Sequence, residues 1–258
     1  KIFDNIRAAK LPPKVVRVEK KAKQRNPTAP FTTSTLQQEG VRKLGMSADR
    51  IMRIAQQLYE GIDIGGQSVG LITYMRTDSV TLAKEAVDEI RDYIGSNFSA
   101  EYLPRSSPVY KSKSKNAQEA HEAIRPTSIA RSPDSIRDFL TVDQIRLYEM
   151  IWKRTLASQM SPARFDTVSV DIRLGGDDTL FRASGQTLVF PGFISVYLED
   201  TDDNADEEGG KLPPLEEGET LQLDKVYGEQ HFTQPPPRFT EASLVKTLEE
   251  HGIGRPST

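Results

Sequence analysis

Thr167-Val168-Ser169-Val170-Asp171-Ile172-Arg173-Leu174 carries an apolar side chain at every second position, the period of a strand with one covered face, and Gly175-Gly176-Asp177-Asp178 follows as a turn. Just upstream the period changes. Across 142–160, Ile145, Tyr148, Ile151, Trp152 and Leu156 recur at helical spacing, and Pro162 separates the two patterns. Downstream, 180–184, 188–190, 192–198 and 220–226 continue the strand pattern, each bounded by glycine or charge. Further upstream the signals are helical. One helix follows Thr32-Thr33-Ser34, with Leu36, Val41 and Leu44 on a face and Gly45 at its end. A second is capped by Ser47, carries Ile51, Ile54, Ala55 and Leu58, and stops at Gly61. The glycine-rich connector 61–70 reads as a mobile loop. A third helix, capped by Asp78 or Ser79, carries Leu82, Ala86, Val87, Ile90 and Ile94 to Gly95, and a fourth follows Asn116. Val15-Val16-Arg17-Val18 is strand-like again, so the sheet draws on both sides of the helical block and the block is an insertion. A closing helix starts after Thr240, with Leu244, Val245 and Leu248 on one face and Gly252 stopping it. The predicted class is α+β and multidomain. A helical domain at 29–160 is inserted into a strand-rich domain made of 1–28 and 161–234, and 235–258 begins a further domain.

The 258 residues are 36% hydrophobic and 28% charged, enough for one large core or two small ones. No apolar run approaches the ~18 residues of a membrane-spanning helix. The absence of cysteine excludes thiolate metal sites, disulfides and cysteine nucleophiles, and His121, His231 and His251 are too few for a histidine-rich metal centre. Chemistry must come from hydroxyls, carboxylates or cations. The net charge of −3 conceals an uneven distribution: 199–217 carries −8, leaving +5 elsewhere. That acidic stretch reads as a solvated loop, with glycine and proline pairs and no apolar period. Basic stretches lie at 14–25 and at Lys111, Lys113 and Lys115; they bind phosphate only if folding gathers them on one face, and otherwise are solvated loops. The chain opens on Lys1-Ile2-Phe3 without Met and closes on Arg255-Pro256-Ser257-Thr258, and is expected to be a fragment.

The chemically suggestive stretch is Gly70-Leu71-Ile72-Thr73-Tyr74-Met75-Arg76-Thr77-Asp78-Ser79, a tyrosine two residues from a cation at the entrance to an expected helix. A phenol with pKa ~10 is a poor nucleophile at neutral pH; a nearby guanidinium favours the phenolate and neutralises a phosphate oxygen. The N–H groups opening the expected helix would add an anion site. Taken alone, such a tyrosine is more commonly a packing residue.

Four stretches in order carry a resemblance to the type IA DNA topoisomerases, and within them to the bacterial topoisomerase I group. They are Ala29-Pro30-Phe31-Thr32-Thr33-Ser34-Thr35-Leu36-Gln37; Gly70 to Ser79; Ala117-Gln118-Glu119-Ala120-His121-Glu122-Ala123-Ile124-Arg125-Pro126; and Phe239-Thr240-Glu241-Ala242-Ser243-Leu244-Val245 followed by Gly252-Ile253-Gly254-Arg255-Pro256-Ser257-Thr258. The resemblance is weakest at 1–28 and 175–230. It implies an arch of a torus in which the helical domain lifts from the base on a strand-rich hinge.

The resemblance also implies an ATP-independent transesterification. A tyrosine attacks single-stranded DNA, forms a 5′-phosphotyrosine, and releases a 3′-hydroxyl that religates after strand passage, relaxing negative supercoils. Carried over, Tyr74 is the nucleophile, Arg76 the transition-state cation, His121 an assistant at the phosphate or through Asp78, and Thr77 a supporting residue. Arg255, Ser257 and Thr258 would join Arg76 and His121 in holding DNA. For Glu119, Glu122 and Arg125, solvation on a helix surface stands equally beside function. The family's Mg²⁺-binding Toprim domain has no counterpart here, so the metal ligands are expected outside this chain and no metal site within it; Asp202-Asp203 belong to the acidic loop. Implied partners are single-stranded or underwound DNA and the chain's own Toprim and downstream domains, in a monomer located in the cytoplasm on the nucleoid. Two alternatives stand beside this. A nucleic-acid-binding module with a structural tyrosine is one. A tyrosine recombinase or rolling-circle nickase is the other, disfavoured because the three histidines are scattered and Tyr74 precedes them all.

Overall fold

The computed structural model describes residues 12–111, 121–174, 180–199, 210–225 and 229–253. In chain order they form β1 (Lys14–Arg25), α1 (Thr33–Leu44), α2 (Ala48–Glu60), β2 (Ile62–Ile64), β3 (Gln67–Val69), α3 (Lys84–Asn97), a helical turn at Pro133–Ile136, α4 (Val142–Ser158), β4 (Ala163–Arg173), β5 (Leu180–Phe190), a 3₁₀ turn at Gly192–Ser195 and α5 (Glu241–Glu250). Two compact units result: Lys1–Arg25, Ala163–Phe190 and Asp203–Pro237 in one, Asn26–Pro162, Pro191–Asp202 and Arg238–Thr258 in the other.

The first unit is built on an antiparallel sheet ordered β1-β4-β5, so the strand before the helical block pairs with the strand after it. The alternation at 167–174 is realised in β4. Val18, Val170 and Ala183 are in register on one side, and Val170 is fully buried. On the other, Arg17, Asp171 and Arg182 align, and the Arg182 guanidinium donates to Asp171 at 2.7 and 3.1 Å, holding that carboxyl below its usual range. The stretches 180–184 and 188–190 are one strand. Residues 220–225 form no strand beyond a bridge from Thr220 to Lys14, and 226 lies outside the described residues.

In the second unit, polar caps fix where the helices begin. Thr32 and Thr35 exchange side-chain and backbone bonds at the start of α1, Ser47 caps α2, and Thr141 with Gln144 and Thr240 with Ser243 close capping boxes on α4 and α5. Leu36, Ile51, Leu58, Leu71, Met75, Ile94, Leu147 and Ile151 form the core.

The structure departs from the sequence pattern in four further places. The connector 61–70 is a hairpin, because Gly65 and Gly66 both take positive φ (65° and 87°), the geometry that turns a strand back in two residues. The stretch 192–198 is not a strand. Phe193 and Tyr197 are both buried in the helical unit, and Tyr197 donates to Glu39 at 2.6 Å, so tertiary burial overrides an ambiguous apolar run. The expected leucine face of α5 is open: Leu244 and Leu248 are exposed, whereas Ala242 is buried and Glu249 accepts from Ser34 of α1 at 2.6 Å. A helix after Asn116 does not include His121–Pro126, which is extended; 112–120 lie outside the described residues.

Candidate active site

The backbone of 70–79 is held from three sides. Leu71 N–H donates to Leu58 O at the end of α2 (2.7 Å), a close approach that Gly70 permits, since a Cβ there would stand 2.9 Å from Tyr59 O. Beyond it, 123–127 runs alongside. Thr73 N–H donates to Arg125 O (2.9 Å), Thr73 Oγ1 to Ala123 O (2.7 Å), and Thr127 N–H to Leu71 O (2.9 Å). At the far end the first turn of α1 takes over: Thr33 Oγ1 donates to Met75 O (2.7 Å) and accepts from Thr77 N–H (2.8 Å), while Thr33 N–H donates to Thr77 O (2.9 Å).

This anchoring sorts the side chains. Met75 and Thr77 are buried, whereas Tyr74 and Arg76 are exposed, Tyr74 at 47%. A phenol and a guanidinium thus stand open on a backbone that is itself fixed. Asp78 is half-buried. The Tyr74 ring meets the ring of Tyr59 edge to face, with centroids 5.3 Å apart and planes at 63°.

The expected helix beginning at Asp78 or Ser79 does not form there. Thr77 Oγ1 accepts from Ser79 N–H (3.0 Å) and Ser79 Oγ from Thr81 N–H (3.1 Å), local turns that compete with helix. The helix, α3, starts at Lys84 with Ala83 as its cap, so its first turn does not follow the tyrosine motif directly; the helix N-terminus bonded to the motif is that of α1, through Thr33. Glu122 explains the delay, accepting from Ala83 N–H at 2.7 Å and from Arg125 at 2.8 Å. That work as a backbone anchor replaces the helix-surface reading of Glu122 and Arg125.

His121 is exposed at the start of the extended stretch that pairs with 71–73, so the histidine and tyrosine motifs belong to one local structure. Arg255, Ser257 and Thr258 lie outside the described residues, as do Glu119, Lys113, Lys115 and residues 200–209 of the acidic stretch 199–217. No role was expected from the sequence for Thr33, Thr73 or Tyr59; the first two stand within the quoted Ala29–Gln37 and Gly70–Ser79 stretches, and only spatial proximity marks Tyr59. Among the described residues no three histidines or carboxylates come together to hold a metal ion, and no helix is long and apolar enough to cross a membrane.

A family model described as DNA topoisomerase matches residues 1–258. DNA topoisomerase 1 of Rickettsia felis is 55% identical over 244 residues, covering 95% of this chain and 31% of that protein. The protein of the same name from Xylella fastidiosa strain Temecula1 is 56% identical over 245 residues, covering 93% and 30%. The solved full-length topoisomerase I of Thermotoga maritima superposes with a TM-score of 0.83 at 37% identity, covering 100% of this chain and 41% of that one. The chain spans about a third of the curated relatives it matches. A match along its whole length, with the tyrosine and histidine motifs in one local structure, places this chain in the DNA topoisomerase family.

Proposed function

We propose that this chain is the nucleophile-bearing part of a type IA DNA topoisomerase that acts without ATP. The Tyr74 oxygen attacks a backbone phosphorus of a single strand. The new Oη–P bond replaces the P–O3′ bond, the phenol proton leaves to a base, and the departing 3′ oxygen is protonated. The reverse displacement religates the strand after passage, conserving the phosphodiester bond, so negative supercoils relax without an energy source. Arg76 holds the equatorial oxygens as charge accumulates on them. His121, with Asp78, orients the phosphate, Thr77 supports the backbone, and Arg255, Ser257 and Thr258 contact DNA phosphates.

Mg²⁺ in the parent would help neutralise the phosphate. The described residues do not converge on an ion, and its ligands and the general acid are assigned to a Toprim domain outside this chain. The partners are single-stranded or underwound DNA and the remaining domains of the same polypeptide, acting as a monomer on the nucleoid.

The observation carrying this reading is the exposure of Tyr74 and Arg76 on a hydrogen-bonded backbone between buried Met75 and Thr77. A non-catalytic single-strand-binding module is the second reading, favoured by the ring contact between Tyr74 and Tyr59, which a purely structural tyrosine would also make. Tyr74→Phe in the full-length parent separates them. It is expected to abolish the covalent DNA adduct while leaving the fold and non-covalent binding nearly intact, because only a hydroxyl is lost. An adduct surviving in that variant would place the nucleophile elsewhere.

A further inference from the structure

We infer that Tyr59, on the last turn of α2, is a positioning residue for Tyr74, an inference that rests on reading Tyr74 as the nucleophile. The two rings pack edge to face at 5.3 Å, inside the range in which the positive rim of one aromatic is drawn to the face of the other. Each ring is partly open, Tyr59 at 40% and Tyr74 at 47%, so the contact covers one side of the nucleophile and leaves the rest accessible.

The backbones that carry the rings are fixed against each other. Leu58 O accepts from Leu71 N–H at 2.7 Å, one residue before Tyr59 and three before Tyr74. Gly70 lies so near Tyr59 O that a Cβ would stand at 2.9 Å. On its other side Tyr74 is flanked by Thr73, bound to Ala123 and Arg125, and by Met75, bound to Thr33. With both main chains pinned, the freedom left to the phenol is rotation about its own side-chain bonds, and an exposed aromatic populates several staggered rotamers. The edge-to-face contact with Tyr59 favours the one rotamer in which the rings meet. In-line attack requires the reacting atoms near 3–3.5 Å and aligned, so restricting the rotamer raises the fraction of complexes ready to react. The function lies in the ring and not in the hydroxyl.

The test compares Tyr59→Ala, Tyr59→Leu and Tyr59→Phe in the full-length parent, on an end-labelled single-stranded oligonucleotide. Single-turnover cleavage at saturating enzyme, oligonucleotide affinity and melting temperature are measured, and the adduct is mapped. Tyr59→Ala is expected to slow cleavage and religation about three- to tenfold with affinity unchanged, the scale of one lost aromatic edge contact. Tyr59→Leu, which keeps apolar bulk at the helix end and guards against a folding defect, is expected to be equally slow. Tyr59→Phe is expected to restore the wild-type rate. Cleavage by Tyr59→Ala and Tyr59→Leu at the wild-type rate would overturn the inference. So would a Tyr59→Phe rate as low as alanine's, which would assign the effect to the hydroxyl, or an affinity loss matching the rate loss, which would make Tyr59 a direct DNA contact. An adduct in the wild-type parent on a residue other than Tyr74 would instead remove the nucleophile reading, and this inference with it.

Discussion

At Arg76 the distinction between a phosphate clamp and a transition-state group is experimentally accessible. Lysine keeps the charge but loses the planar fork that spans two phosphate oxygens. Arg76→Lys in the full-length parent is expected to slow single-turnover cleavage roughly 10–1000-fold, the scale of one oriented electrostatic contact, while single-strand affinity changes much less. Equal losses of affinity and kcat/KM at an unchanged single-turnover rate would mark a clamp. Glu39, buried in α1, has its pKa raised chiefly by desolvation, with the Tyr197 hydrogen bond opposing. Folding favours the protonated form, so its contribution to stability is complete below the ordinary carboxylate value of 4.5 and is lost as pH rises through the raised value. Glu39→Gln keeps an oxygen to accept from Tyr197 and cannot ionise. The advantage of the variant in urea unfolding should therefore grow from pH 4 to pH 8; a constant difference would show that Glu39 titrates alike in both states.

At the scale of elements, the first turn of α1 links the fold to the site. Thr33 Oγ1 serves both Met75 O and Thr77 N–H, so the helix that packs in the core also fixes the residues on either side of Arg76. Thr33→Val keeps the shape, removes both bonds and leaves the buried Thr77 N–H without this acceptor. That costs about 1–3 kcal/mol, measurable by urea denaturation of this chain. In the full-length parent the same variant should slow cleavage more than it weakens oligonucleotide binding, because Arg76 loses its support and keeps its charge. Unchanged stability would mean that water or a neighbour replaces the hydroxyl.

At the scale of the whole molecule, the chain holds the tyrosine and the arginine proposed to act on the phosphate, and among the described residues no cluster fit for a metal ion. The purified 258-residue chain is expected neither to relax supercoiled DNA nor to cleave single strands when Mg²⁺ is supplied. Mixing it with a Toprim-bearing piece of the parent should restore the adduct on Tyr74. Mg²⁺-dependent relaxation by the chain alone would contradict the assignment of the general acid and metal ligands to another domain.

The sequence by itself determined the switch from a helical to a two-residue period near Pro162, the helix capped at Ser47, the helical spacing across 142–160, and the tyrosine motif with its order relative to the histidine motif. These are local properties, set by side-chain period, cap chemistry and residue type within a few positions. Only the tertiary structure decided the rest. The apolar run at 192–198 fits a strand or a covered turn equally well, and the buried positions of Phe193 and Tyr197 select the turn. Asp78 and Ser79 are good caps in isolation, yet Glu122, 39 residues beyond Ala83, sets the start of α3. Tyr59 stands 15 residues before Tyr74, and no spacing rule connects them. Their rings meet because Gly70 lets the returning hairpin pass close against the end of α2. Such contacts depend on which backbones approach within hydrogen-bonding distance, and that is fixed by the packing of the whole unit.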